Sequence, residues 1–170
     1  FESNDFDGIV DPDLFPPNLE HFDSRGNKKI SSGTFNIQNL PSSMRVLRMD
    51  NHPNVRGTLD FSAFETRSID LTHFQISNTQ IGGLNLDGLS TMTKLRMFYI
   101  HDNQFGAMPF ETSKLPCNSI TDLRIHENEF TGAFDLRNPC TDSLEDVYFY
   151  NNKFSDFHLP VPRRDAMNLT

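Results

Sequence analysis

The stretch "LRIHENEFTGAF" (123–134) recurs along the chain. "VYFYNNKFSDF" (147–157) and "FYIHDNQFGAM" (98–108) match it closely, and "FQISNTQIGGLNL" (74–86) and "LRMDNHPNVRGTLDF" (47–61) match it more loosely. The leading apolar residue of each copy falls at Leu47, Phe74, Phe98, Leu123 and Val147, in steps of 27, 24, 25 and 24 residues. A nearly fixed period of this size constrains the fold more than any composition figure. Each copy is one supersecondary unit, too small to bury its own apolar face, so neighbouring copies must stack.

The unit reads in columns. An apolar residue opens it at Met44, Leu71, Leu95, Ile120 and Leu144. The leading apolar column follows, and then a third at Met49, Ile76, Ile100, Ile125 and Phe149. An Asn comes next in the last three units, at Asn103, Asn128 and Asn152. After it stands a larger apolar residue, at Val55, Ile81, Phe105, Phe130 and Phe154, and in most units a Gly: Gly57, Gly82–Gly83, Gly106 and Gly132. Apolar residues at i and i+2 predict a short strand at the head of each unit. "GTLDF" (57–61), "GLNL" (83–86), "GAMPF" (106–110) and "GAFDL" (132–136) alternate as second strands should. "GTFNI" (33–37) lies 24 residues before "GTLDF", so an irregular, Phe-rich first unit spans roughly 19–42.

These columns resemble the leucine-rich repeat, L-x-x-L-x-L-x-x-N-x-L. The match covers roughly residues 43–159, and its period and "N-x-F-x-G" extension are most similar to the plant-type subclass, also found in protist proteins. The resemblance implies an α/β solenoid. Its coils would be right-handed, with a parallel sheet on the concave face, a second short strand after most Gly positions, and few or short helices. Residues 1–18 are then an acidic N-terminal arm or cap, 19–159 a solenoid of about six units, and 160–170 a C-terminal tail or the start of a further truncated repeat.

In such a fold the chain turns inward after each strand, and a buried turn leaves backbone groups needing partners. An Asn amide offers both a donor and an acceptor. The resemblance implies an Asn ladder at Asn103, Asn128 and Asn152, with Thr79 in its place in one unit. In the unit before, the position falls near His52–Pro53, where one residue is inserted. The ladder should therefore be ordered late in the chain and irregular early, with Phe105, Phe130 and Phe154 stacked beneath it.

Strand residues alternate between core and surface. The surface columns are Arg48, Gln75, Tyr99, Arg124 and Tyr148; then Asp50, Ser77, His101, His126 and Tyr150; then Asn51, Asn78, Asp102, Glu127 and Asn151. The chain has 16 Phe but only 3 Tyr, and all three Tyr fall in these columns. They gather with Arg124, His101 and His126 on the last three units. Tyr and Arg are over-represented at interface hot spots, whereas Tyr is also simply a good strand former. The clustering favours a partner-binding concave face, carried by Arg48, Gln75, Tyr99, His101, Arg124, His126, Tyr148 and Tyr150.

The net charge is −8, with seven acids and no Lys or Arg in residues 1–23. The remainder is close to neutral and has no basic stripe, which speaks against nucleic acid. No apolar run approaches a membrane span. His101 and His126 are of metal-ligating type, but no third ligand is fixed by spacing, so no metal is expected. "NDFDGIVDPD" (4–13) places Asp5, Asp7 and Asp11 at calcium-loop positions around Gly8, but Ser3 and Leu14 stand where the pattern needs acids. Cys117 and Cys140 occupy nearly the same place in adjacent repeats; a disulfide and buried free thiols are both open readings. "NLT" (168–170) is the only glycosylation sequon.

No nucleophile motif, phosphate-binding Gly loop or convergent carboxylate pair is present, so neither catalysis nor a cofactor is expected. The leading expectation is a non-catalytic interaction module or scaffold that binds a protein or peptide through its concave face. One alternative is an accessory subunit of a large multiprotein assembly that covers the solenoid edge. The other is a secreted or cell-surface recognition ectodomain. A disulfide would favour a secreted or surface setting, and reduced thiols an organellar or cytoplasmic complex.

Overall fold

The computed structural model describes residues 4–31, 34–138 and 141–159. Within them the chain is mostly short strands. In chain order these are β1 (Asp7–Ile9), β2 (His21–Asp23), β3 (Lys29–Ser31), β4 (Phe35–Asn36), β5 (Val46–Asp50), β6 (Arg56–Asp60) and β7 (His73–Ser77). There follow β8 (Gln80–Asn85), β9 (Met97–Tyr99), β10 (Asp122–Arg124), β11 (Thr131–Asp135), β12 (Asp146–Tyr148) and β13 (Lys153–His158). The helices among the described residues are single 3-10 turns at Pro12–Leu14, Ile37–Asn39, Ser62–Glu65, Leu89–Thr91 and Thr112–Lys114.

The head strand of each unit pairs in parallel with the head strand of the next. Together they form a six-stranded sheet in the order β12-β10-β9-β7-β5-β2. Its register runs Phe22, Leu47, Phe74, Phe98, Leu123, Val147, so the column that repeats in the sequence is a column in space. The Phe-rich first unit contributes a full member through β2. Second strands pair in the same way, as β4-β6-β8 and as β11-β13. "GAMPF" departs from expectation: it forms no strand and meets Thr131 only through an isolated bridge at Pro109. Proline has no N–H to give to a ladder, which interrupts this second sheet at that unit.

The core lies between these layers. Met44, Leu71, Leu95 and Ile120 are buried, as are the next two apolar columns as far as Leu123 and Ile125. In the last unit Leu144, Val147, Phe149 and Phe154 are only partly covered. Phe105 and Phe130 stack at 5.6 Å, and Phe130 and Phe154 at 6.3 Å, forming the expected spine. Burying Phe105 and Phe130 contributes about 1.5–3 kcal/mol each, and the partly covered Phe154 less.

The ladder is built as the Asn side chains require. Asn103 donates to the Ile76 carbonyl of the preceding unit at 2.8 Å and to Ile100 at 3.0 Å. Asn128 donates to Ile100 at 3.0 Å and Ile125 at 3.1 Å, and its Oδ1 accepts the Asn103 backbone N–H at 3.2 Å. Asn152 repeats the pattern on Ile125 and Phe149, both at 3.0 Å, and accepts Phe130 N–H. Thr79 bridges the Asn103 side chain and the Ile81 N–H.

The early part is irregular in chemistry but not in place. Asn27 occupies the ladder position of the first unit and donates to Ser24 O at 2.8 Å. Buried His52 takes the next rung, with Nδ1 at 2.9 Å from Asn27 O and Nε2 at 3.0 Å from Ser24 Oγ. Burial holds its pKa below the usual histidine value. Before every rung sits a residue in the left-handed region: Gly26, Asn51, Asn78, Asp102, Glu127 and Asn151, with φ between 51° and 77°. Asn and Asp tolerate this region best among residues with side chains, which explains why this column is so rich in them.

A further polar column lies at the back. Asp11, Asn36, Asp60, Asn85 and Asp135 each accept the N–H two residues on. Such Asx turns redirect the chain into the helical turns or loops that follow. Asp11 shares this column, β1 pairs with β3, and Phe15 lies 4.7 Å from Phe22. The acidic arm therefore packs on the first unit in register with it. Its calcium-loop candidates are engaged otherwise: Asp5 pairs with Lys29, Asp7 lies in β1, and Asp11 caps a turn.

Cys117 is disulfide-bonded. Cys140, Gly33, the 160–170 tail and the "NLT" sequon lie outside the described residues.

Candidate interaction surface

The open face of the six-stranded sheet carries the predicted rows. Asp23, Arg48, Gln75, Tyr99, Arg124 and Tyr148 are neighbours in strand register. The next row continues past the strand ends by backbone bonds: Asn51 N–H to Ser77 O, Asn78 to His101, Asp102 to His126, and Glu127 to Tyr150.

Two side-chain assemblies occupy the last three units. In the first, the Arg124 guanidinium sits between two rings, 4.4 Å from the Tyr99 centroid and 5.0 Å from that of Tyr148. Each ring face offers the cation an attraction of about 0.5–1 kcal/mol. The Arg124 Nε is buried and has no hydrogen-bond acceptor. Tyr99 is itself buried, and its hydroxyl donates to Asp122 Oδ1 at 3.4 Å. Burial, with Asp122 and Asp146 nearby, keeps that phenol protonated beyond its usual range, although Arg124 works the other way.

In the second assembly, His101 and His126 stack at 4.4 Å with planes 14° apart, and Tyr150 stacks on His126 at 4.5 Å and 23°. Burial, then the neighbouring His126, then Arg124 push the His101 pKa down to about 4. His126 is lowered as well, by burial first and by Arg124, against the opposing charge of Glu127. Both rings are therefore neutral at pH 7. Nδ1 of His101 faces Ser77 Oγ at 3.1 Å. Nδ1 of His126 is buried and makes no hydrogen bond within ordinary geometry.

The stack also bears on metal binding. A metal ligated by imidazole lies in the ring plane, and two nearly parallel planes share no such point. Among the described residues no group of three His, Cys, Asp or Glu is placed to hold an ion.

Arg48 and Gln75 extend the middle row toward the first units. Arg48 Nη1 is 4.0 Å from Asp23, whose carboxylate is already forked by Arg25 at 2.8–3.1 Å. Gln75 hydrogen-bonds Asp50, whose pKa burial raises. The structure thus brings Arg48, Gln75, Tyr99, Arg124 and Tyr148 into one row, and His101, His126 and Tyr150 into the next. Tyr148 and Tyr150 are the exposed members, at 41% and 53%. The sequence did not reveal the arginine sandwich, because ring and guanidinium come from units about 25 residues apart.

No protein-family model matches the chain, and no curated protein matches it either. Among the described residues no helix is long and apolar enough to cross a membrane.

Proposed function

We propose that the chain is a right-handed leucine-rich repeat solenoid that works as a non-catalytic interaction module, binding a protein or peptide across the concave face of β9, β10 and β12. Support for the fold comes from in-register parallel strands one repeat apart, the Asn ladder and the Phe spine. The observation that carries the function is the Tyr99–Arg124–Tyr148 sandwich beside the His101–His126–Tyr150 stack. Aromatic rings and an arginine held rigid on a sheet lose little conformational entropy on binding, which is the character of an interface anchor. An enzyme reading finds no support in this arrangement: the hydroxyl that faces His101 is that of Ser77, which is itself buried.

A second reading is an accessory subunit of a larger assembly. It is favoured by apolar side chains exposed away from the concave face, Ile9 at 72% and Leu14 at 79%. Native mass and composition of the chain, purified gently from its source, separate the two. The interaction reading expects a stoichiometric partner lost from a Tyr148→Ala/Tyr150→Ala chain and kept by Glu111→Ala on the back. A partner kept by the first variant and lost when Ile9 and Leu14 are made polar would establish the subunit reading instead.

A further inference from the structure

A shallow concavity of about 290 Å³ opens on the middle row, lined among others by Arg48, His73, Gln75, Tyr99 and Arg124, with Arg25. The whole chain carries a net charge of −8, yet three guanidinium groups converge here. Arg25 is committed to Asp23 through a forked pair, which leaves Arg48 only a 4.0 Å approach to that carboxylate. Arg124 is held by rings rather than by an acid, and its buried Nε lacks an acceptor. That Nε is closed off from solvent, so a ligand would meet the Nη1 and Nη2 edge of Arg124, which no hydrogen bond or ion pair of the described residues engages. The field of these cations is felt nearby: after burial, the larger cause in each case, Arg48 depresses His73 and Arg124 depresses His126.

The stacked second row adds to this. Stacked rings cover their faces with one another and turn their edges outward. The edge of each neutral imidazole carries one N–H donor and one in-plane lone pair, so His101 and His126, with the Tyr150 hydroxyl, offer donors as well as acceptors along this row.

The geometry points to a carboxylate site, in which the concavity takes a Glu or Asp side chain from an extended segment of the partner, forked by Arg124 and reached by Arg48 across Gln75 and Tyr99. The guanidinium fork matches two carboxylate oxygens. The flanking rows define the context of that carboxylate. Asp122 and Asp146 lie on one side in register, and Asp102 and Glu127 on the other. They oppose a run of acids and a doubly charged phosphate, and favour one acidic residue among neutral or basic neighbours. The peptide context rests on the interaction reading above; the carboxylate site itself does not.

The test is a titration of the full isotope-labelled chain, followed by NMR at the arginine Nε–H groups and the Gln75 side-chain amide. The probes are N-acetyl-glutamate methylamide, its glutamine counterpart and inorganic phosphate. The inference expects saturable shifts at Arg124 and Arg48 with the glutamate probe and none with the glutamine probe. Arg124→Gln and Arg48→Gln should each weaken binding about tenfold or more, with the rest of the spectrum retained as proof of folding. It is overturned if the glutamate probe fails to saturate at tens of millimolar, if the glutamine probe shifts the same groups equally, or if phosphate binds more tightly. Partner loss from the Tyr148→Ala/Tyr150→Ala chain without carboxylate binding sinks this inference alone. Carboxylate binding by a chain that has no partner sinks only the interaction reading.

Discussion

Asn128→Ala should be among the most costly single polar changes in this chain. The residue is 8% exposed. Its amide donates to the carbonyls of Ile100 and Ile125 at 3.0 and 3.1 Å, and its oxygen accepts Asn103 N–H at 3.2 Å. The carbonyls are not fully orphaned by the change, because Asn103 also serves Ile100 and Asn152 also serves Ile125. The Asn103 N–H has no such reserve. Two shared bonds at about 1 kcal/mol each and one part-buried donor left bare at about 1–3 kcal/mol give a loss of about 3–5 kcal/mol. Thr79→Ala is the control. Thr79 serves one side chain and one backbone N–H, so its loss should cost about half as much. Equilibrium urea unfolding measures both, and exchange of the Asn103 amide reads the local effect. A drop of 3 kcal/mol corresponds to exchange about a hundredfold faster. The reasoning is refuted if Asn128→Ala stays within about 1 kcal/mol of the parent, or if Thr79→Ala costs as much.

Three further outcomes are expected. Acid should weaken the fold through His101: its folded pKa lies below the unfolded value, so stability is full above about pH 6.5 and falls toward the folded value of about 4. The shift corresponds to about 3 kcal/mol, reduced to about 1–2 by the exposed part of the ring; a His101→Gln chain should show a flatter loss between pH 7 and pH 4 in urea titrations. Gly88→Ala should destabilise by at least about 2 kcal/mol, because φ there is 81° and a Cβ would stand 2.3 Å from the Phe61 carbonyl oxygen, whereas Gly106→Ala meets nothing within 4 Å and should be tolerated. Thermal unfolding of the two variants compares them directly. Non-reducing digestion should join the Cys117 peptide to that of Cys140, the only other cysteine, and reduction should cost about 2–4 kcal/mol of stability; an unlinked Cys117 peptide would refute this.

The sequence was most informative where one residue type recurs at one place. Leu47, Phe74, Phe98, Leu123 and Val147 fall into strand register as their spacing required. Asn27 escaped because Ser24 stands in the apolar column before it. The structure explains why a serine is tolerated there: its hydroxyl is bonded by His52. The polar column at Asn36, Asp60, Asn85 and Asp135 was visible in "FNI", "LDF", "LNL" and "FDL", yet it reads equally well as strand alternation. Pro109 removed a strand that the alternation of "GAMPF" suggested. At the candidate site the rows were legible and their contacts were not. Whether Arg124 faces a carboxylate or two rings depends on side-chain direction, and no residue spacing encodes that.

The central claim is that the face carrying Tyr99, Arg124 and Tyr148 meets a partner. Its most direct test is hydrogen exchange of the isolated chain against the gently purified complex. The account predicts slowed exchange confined to the segments around 97–101, 122–126 and 146–150, with the turns at Ser62–Glu65 and Leu89–Thr91 unchanged. Protection of those back turns, with the three sheet segments unaltered, would contradict it.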